Sequence, residues 1–251
     1  MDSPKEPKNV VSFCSGYAGI ERGLELAGVE ARTVSYVEIE AFACANLVAK
    51  METGALAPAP IWTDLKTFPA HLFRGRVDII TGGYPCQPFS AAGKRAGKDD
   101  PRHLWPWIRQ HVDTIRPSHC FFENVEGHIS LGLREVVEDL EELGYETKWG
   151  IFSAAEVGAP HQRKRVYIMA ESESERIQRL WSSREQKPYA YVPALVPLCE
   201  GERLGSTYWE AEPDVDRVVD GCADRVDRLR LLGNGVVPQT AAKAWTTLKR
   251  R

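Results

Sequence analysis

Short apolar runs alternate with helix-spaced stretches along the first half of this chain, and that alternation limits the folds open to it. Val10, Val11 and Phe13 form a short buried strand that runs into the glycine-containing turn 14–19, and residues 20–27 then have helical spacing. A second strand, 33–37, ends in Glu38-Ile39-Glu40 and is followed by a helical stretch over 41–51. Strand, turn and helix repeated in this way predict parallel strands joined by helical crossovers, which is an open, doubly wound α/β sheet. The pattern continues with Ile61-Trp62 leading to Asp64-Leu65, and with Val77, Ile79 and Ile80 as another strand. A helix follows over 104–115 with Pro106 in its first turn, then the strand Cys120-Phe121-Phe122, ended by Glu123-Asn124-Val125. Leu133, Val136, Val137, Leu140 and Leu143 share one helix face, and Gly144 supplies the stop. Strands are expected over 149–152 and 166–170, and a last helix over 239–249.

Between about 171 and 228 the periodicity fades into prolines, tryptophans and acidic residues. We therefore expect a catalytic domain built from 1–170 and 229–251, with 171–228 as a small irregular insert. At 251 residues the chain is long enough for one large α/β domain with an appendage. No apolar run reaches the roughly 20 residues that span a bilayer, and the first residues lack a signal peptide's apolar segment. A soluble cytoplasmic protein is expected.

The six cysteines form no Cys-x-x-Cys pair and have no histidine at metal spacing, so neither a zinc site nor a disulfide framework is expected. One of them stands apart. Cys86 lies in Gly82-Gly83-Tyr84-Pro85-Cys86-Gln87-Pro88, directly after a strand, where open α/β sheets keep their chemistry. Two prolines and two glycines fix the backbone around this thiol and clear space beside it, which suits a nucleophile. The net charge of −3 and isoelectric point near 6.1 do not announce a nucleic-acid binder. Locally, Lys94, Arg95, Lys98, Arg102, Arg163, Lys164 and Arg165 can make a small basic cleft on an acidic body.

The turn 12–19 has neither the lysine nor the spacing of a phosphate-binding P-loop. Its glycines let a ligand lie against the backbone, Glu38 can accept from ribose hydroxyls, and Asp64 from an adenine amino group. Any βα turn holds a glycine and any strand end an acid, so singly these features say little; together they describe a nucleoside pocket.

With Cys86 the set becomes specific. The Phe13 to Gly19 turn, Glu38-Ile39, Asp64-Leu65, Pro85-Cys86-Gln87, Glu123-Asn124-Val125, Arg163-x-Arg165 and Gly233-Asn234-Gly235-Val236 occur in an order that resembles the DNA cytosine 5-methyltransferases. The resemblance covers 10–170 and 229–250. It implies S-adenosylmethionine as cofactor, held by Phe13, Cys14, Ser15, Gly16, Tyr17, Gly19, Ile20, Glu38, Ile39, Asp64, Leu65, Gly83, Pro85, Leu104, Asn234 and Val236. It makes Cys86 the nucleophile that adds to carbon 6 of cytosine, Glu123 the acid at nitrogen 3, and Arg165 the partner of the oxygen on carbon 2. Arg163 would support the cysteine loop and the reacting base. Duplex DNA is the implied partner, contacted by Gln87, Ser90, Lys94 and Arg95, with the 91–102 loop closing over a flipped base.

The resemblance further implies a monomer without metal in a bacterial or phage-infected cell, near the nucleoid, with a cognate restriction nuclease as a conceivable partner. Two departures stand out: Ser12 where family members often have an acid, and His161 where they have glutamine. The short, acidic 171–228 segment, where the family reads its target, permits no assignment of a base contact. Two other functions stay open from the sequence: the same chemistry on tRNA, and a cofactor-binding DNA-recognition protein without turnover.

Overall fold

The computed structural model describes residues 6–85, 103–174 and 235–250. Seven strands form one sheet: β1 (Lys8–Phe13), β2 (Ala31–Val37), β3 (Ile61–Trp62), β4 (Ile79–Gly82), β5 (His119–Val125), β6 (Tyr145–Ser153) and β7 (Lys164–Ser172). Their spatial order is β3-β2-β1-β4-β5-β7-β6. The first five are parallel, and β7 runs antiparallel between β5 and β6. The connection from β6 to β7 is too short for a crossover, so the chain has to return antiparallel.

The helices are α1 (Gly19–Leu26), α2 (Ala41–Glu52), α3 (Trp105–Ile115), α4 (His128–Leu131), α5 (Leu133–Glu142) and α6 (Pro238–Arg250). Alternation along the strands divides the core into two layers. Val11, Phe13, Ile80, Cys120 and Phe122 face α3 and α5, packing on Ile108, Val112, Val136 and Leu140. Val10, Ile79, Phe121, Tyr167 and Met169 face the other way, onto Leu24 of α1 and Ala241, Trp245 and Leu248 of α6. Trp245 meets Phe121 edge-on at 5.2 Å between ring centroids.

Chain order reverses between β1 and β4: β2 and β3 extend the sheet to one side, β5 to the other. The carboxyl ends of β1 and β4 therefore flank the crevice where sheets of this kind take ligands. The expected doubly wound architecture is present. Two details differ from the sequence reading. Glu123-Asn124-Val125 belong to β5 itself, because pairing with β7 carries the ladder through Val125↔Arg165. For the same reason β7 reaches Ser172, slightly past the periodicity break near 171. Cys86 and its loop, the 91–102 segment and the 171–228 insert, apart from 171–174, lie outside the described residues.

Candidate active site

The turn after β1 is shaped by three left-handed backbones in five residues: Cys14 at φ 49°, Gly16 at φ 54° and Ala18 at φ 65°. They fold the chain back so that α1 begins beside the β1–β4 crevice, where Gly19 and Ile20 line one pocket with Phe13 and Gly83. Two carboxylates hold this region. Glu38, at the tip of β2, accepts from the amide of Gly16 at 2.7 Å through Oε2 and from that of Glu40 at 2.9 Å through Oε1. Glu21, in the first turn of α1, accepts from Thr81 Oγ1 on β4.

The chain's last described segment closes the crevice. Tyr17 donates its hydroxyl to the Val236 carbonyl, and Lys50 Nζ donates to the Tyr17 carbonyl at 2.7 Å. Arg163 Nη2 donates to the Gly235 carbonyl. A Cβ on Gly19 would fall on the Val236 carbonyl, and one on Gly235 would fall on the Tyr17 ring, so both positions need glycine for this approach. A pocket remains, lined by Ser12, Phe13, Cys14, Ser15, Gly16, Tyr17, Gly19, Ile20, Glu21, Gly83, Gly235 and Val236.

Nine of the residues expected to hold the cofactor are thus gathered in one wall. The others sit elsewhere. Ile39 beside Glu38 is 73% exposed, which is unusual for an isoleucine at a strand tip and leaves an apolar surface for a ligand. Asp64 accepts from the Lys66 amide at 2.9 Å, capping a short 3-10 turn. The Leu65 side chain is buried against the α3 layer, where Leu104 also packs, and Pro85 is exposed. Asn234 and Gln87, Ser90, Lys94 and Arg95 are outside the described residues, as is Cys86.

Around the end of β5 the remaining site residues meet. Glu123 is 5% exposed, and a Cβ on Gly83 would lie 3.4 Å from its Oε2, so the strand-end loop passes directly over the carboxyl. Arg165 Nε stands 2.9 Å from Glu123 Oε1. Burial pushes the Glu123 carboxyl up to about 7, while the Arg165 and Arg163 guanidiniums pull the other way. A buried acid that holds its proton near neutrality is suited to donate it. Arg163, at φ 33°, touches both halves of the site: its guanidinium holds the Gly235 carbonyl, and its charge acts on Glu123.

The supporting roles of some residues had no signature in the sequence. Asn124 Nδ2 donates to the Tyr84 carbonyl at 3.1 Å, tying β5 to the loop two residues before Cys86. The Tyr84 hydroxyl lies 3.1 Å from Nε2 of buried His128. Burial lowers that imidazole to about 4, so it is neutral at pH 7. Glu21 and Gly235 were also not foreseen in the pocket wall. An acid in a helix's first turn reads from sequence as a partner of the helix dipole, which hides a second use.

This arrangement coincides with a family pattern. Residues 8–210 match the family model for C-5 cytosine-specific DNA methylases. The chain belongs to that family. Type II methyltransferase M.NaeI from Lentzea aerocolonigenes is 33% identical over 169 residues, 64% of this chain and 39% of that protein. Type II methyltransferase M.NgoMIV from Neisseria gonorrhoeae is 33% identical over 168 residues, 64% of this chain and 50% of that protein. Among solved structures, the S. pombe Dnmt2 methyltransferase superposes with a TM-score of 0.55 at 26% identity, over 66% of this chain and 51% of that one. This member of the C-5 methylases thus spans half or less of the length of these curated relatives. Among its described residues no helix is long and apolar enough to cross a membrane, and no group of three or more His, Cys, Asp or Glu could hold a metal ion.

Proposed function

We propose that this chain transfers a methyl group from S-adenosylmethionine to carbon 5 of cytosine in duplex DNA, by way of a flipped-out base and a transient bond from Cys86. The observation that supports the reading most is Glu123, a buried carboxyl with its pKa raised to about 7, set under the loop that leads to Cys86 and paired with Arg165.

The residues fit the cofactor. The turn at Gly16, where a Cβ would meet nothing within 4 Å, offers open backbone, and Glu38, though it holds two amides, keeps lone pairs for ribose hydroxyls. Exposed Ile39 gives an adenine ring an apolar face. When bound, S-adenosylmethionine supplies an electrophilic methyl group on a sulfonium.

Carbon 5 of cytosine is a weak nucleophile. Addition of the Cys86 thiolate to carbon 6 moves electron density onto carbon 5, and the negative charge that develops on the ring is met at nitrogen 3 by the Glu123 proton. Arg165 orients Glu123 and can bind the oxygen on carbon 2. After methyl transfer the carbon 5 proton leaves to water, the carbon 6–sulfur bond breaks, the thiolate returns, and nitrogen 3 gives its proton back to Glu123. Carbon 6 is out of reach in a stacked duplex, so the base must turn out at a cost of a few kcal/mol. Gln87, Ser90, Lys94 and Arg95 are assigned to the DNA strand around it, and the 171–228 region to target recognition. On this reading the protein acts as a monomer in the compartment that holds the DNA, as the modification partner of a nuclease with the same target.

The test is transfer of labelled methyl from the cofactor to duplex DNA and, in parallel, to tRNA. Wild type should label DNA, and Cys86→Ser should fall to background. Labelling of tRNA alone would contradict the substrate, and full turnover by Cys86→Ser would contradict the mechanism.

A further inference from the structure

We infer that Glu21 is a cofactor-binding residue whose carboxylate receives the α-ammonium group at the amino-acid end of S-adenosylmethionine. The inference rests on the cofactor reading above and assigns a residue that the methyl-transfer chemistry leaves unused.

Among the described residues, Glu21 is the only charged side chain in the pocket wall. It spans the crevice at the point where the sheet's order reverses: it leaves α1, which follows β1, and is held by Thr81 of β4. Thr81 is fully buried and lies two residues before Gly83, so the carboxylate is fixed near the carboxyl end of the strand that leads to the cysteine loop. Ser12, at the end of β1, contributes only a hydroxyl to this corner. The other carboxylate near the turn, Glu38, is committed to the amides of Gly16 and Glu40 on the β2 side.

The ligand has two polar ends of different chemistry. Its ribose hydroxyls are neutral donors that suit Glu38. Its amino-acid end is a zwitterion, and the α-ammonium half needs a carboxylate or other strong acceptor once it leaves water. Among the described residues of the pocket wall, Glu21 is the carboxylate placed for it. The hydroxyls of Thr81 and Ser12 and its own amide are neutral partners, and a carboxylate in a pocket wall with no cation among the described lining residues is itself unfavourable. Desolvation accordingly raises the Glu21 carboxyl above its ordinary range, against hydrogen bonds that lower it, and an arriving ammonium group would offset that cost.

Calorimetric titration of the full chain tests this. Glu21→Gln should bind S-adenosylmethionine about tenfold more weakly than wild type, a loss of ~1.4 kcal/mol. It should bind methylthioadenosine, which lacks the amino-acid end, as wild type does. Unchanged affinity for S-adenosylmethionine, or an equal loss for both ligands, would overturn the assignment while leaving the cofactor reading intact. The wild-type chain provides a second measurement that needs no folded variant: S-adenosylhomocysteine should bind about tenfold more tightly than its analogue without the α-amino group. Equal binding of those two would overturn the assignment. Failure of wild type to bind any of these ligands would overturn the cofactor reading and this assignment with it.

Discussion

Glu123 shows how one side chain can be set for its task by opposed forces. Burial favours the neutral acid, two arginines favour the carboxylate, and burial wins by enough to bring the pKa to about 7. Two consequences follow. The protonated form that the proposed mechanism uses at nitrogen 3 is abundant below pH 7 and declines above it, so the single-turnover methyl-transfer rate should contain a descending limb near that pH. Glu123→Gln should lose that limb and about 10²–10⁴-fold in rate. Stability has the same sign. From the ordinary carboxylate range up to about 7 the folded chain keeps a proton that the unfolded chain releases, so stability falls as pH rises through that window. Urea titrations at both ends of the window should show the fall in wild type and a smaller one in Glu123→Gln.

At the scale of elements, α1 and α6 decide whether the pocket exists. They cross so closely at Gly23 that a Cβ there would lie 2.6 Å from Ala241 Cβ and 2.8 Å from the Pro238 carbonyl. Backbone cannot give way as a side-chain tip can, so Gly23→Ala should push α6 outward and draw Val236 and Gly235 off the turn. Alanine's helix preference returns ~1 kcal/mol, less than the upper range of ~1–3 kcal/mol for overpacking. We expect a net loss of about 1–2 kcal/mol and weaker cofactor binding, although residue 23 does not line the pocket. Thermal unfolding with and without cofactor checks both. These elements were legible in the sequence where periodicity was strong: β1, α1, β2, α2, α3, α5 and α6 fall within a few residues of their expected bounds. The hairpin of β6 and β7 was legible only as two strands. Its insertion beside β5 depends on a partner distant in sequence, and that pairing is what draws Glu123, Asn124 and Val125 into the ladder.

Across the whole molecule, residues far apart in the chain share one site. Tyr17 meets Val236, Arg163 meets Gly235, and Gly83 lies over Glu123. Cys86, Glu123, Arg163 and Arg165 could be singled out in the sequence because their residue types and order are unusual. The contacts that support them could not, since Asn124, His128 and Glu21 have common residue types whose roles depend on what the fold brings near. In the proposed mechanism one sulfur bonds to a pyrimidine, and that bond can be caught. Duplex DNA carrying 5-fluorocytosine at the target accepts the thiol and the methyl group but has no proton on carbon 5 to release, so the adduct cannot break down. Incubated with cofactor, wild type should give a denaturation-resistant complex with the mass of protein, DNA and one methyl group, linked through the peptide containing Cys86. Absence of that complex on DNA the protein does methylate, or its undiminished formation by Cys86→Ser, would contradict the account.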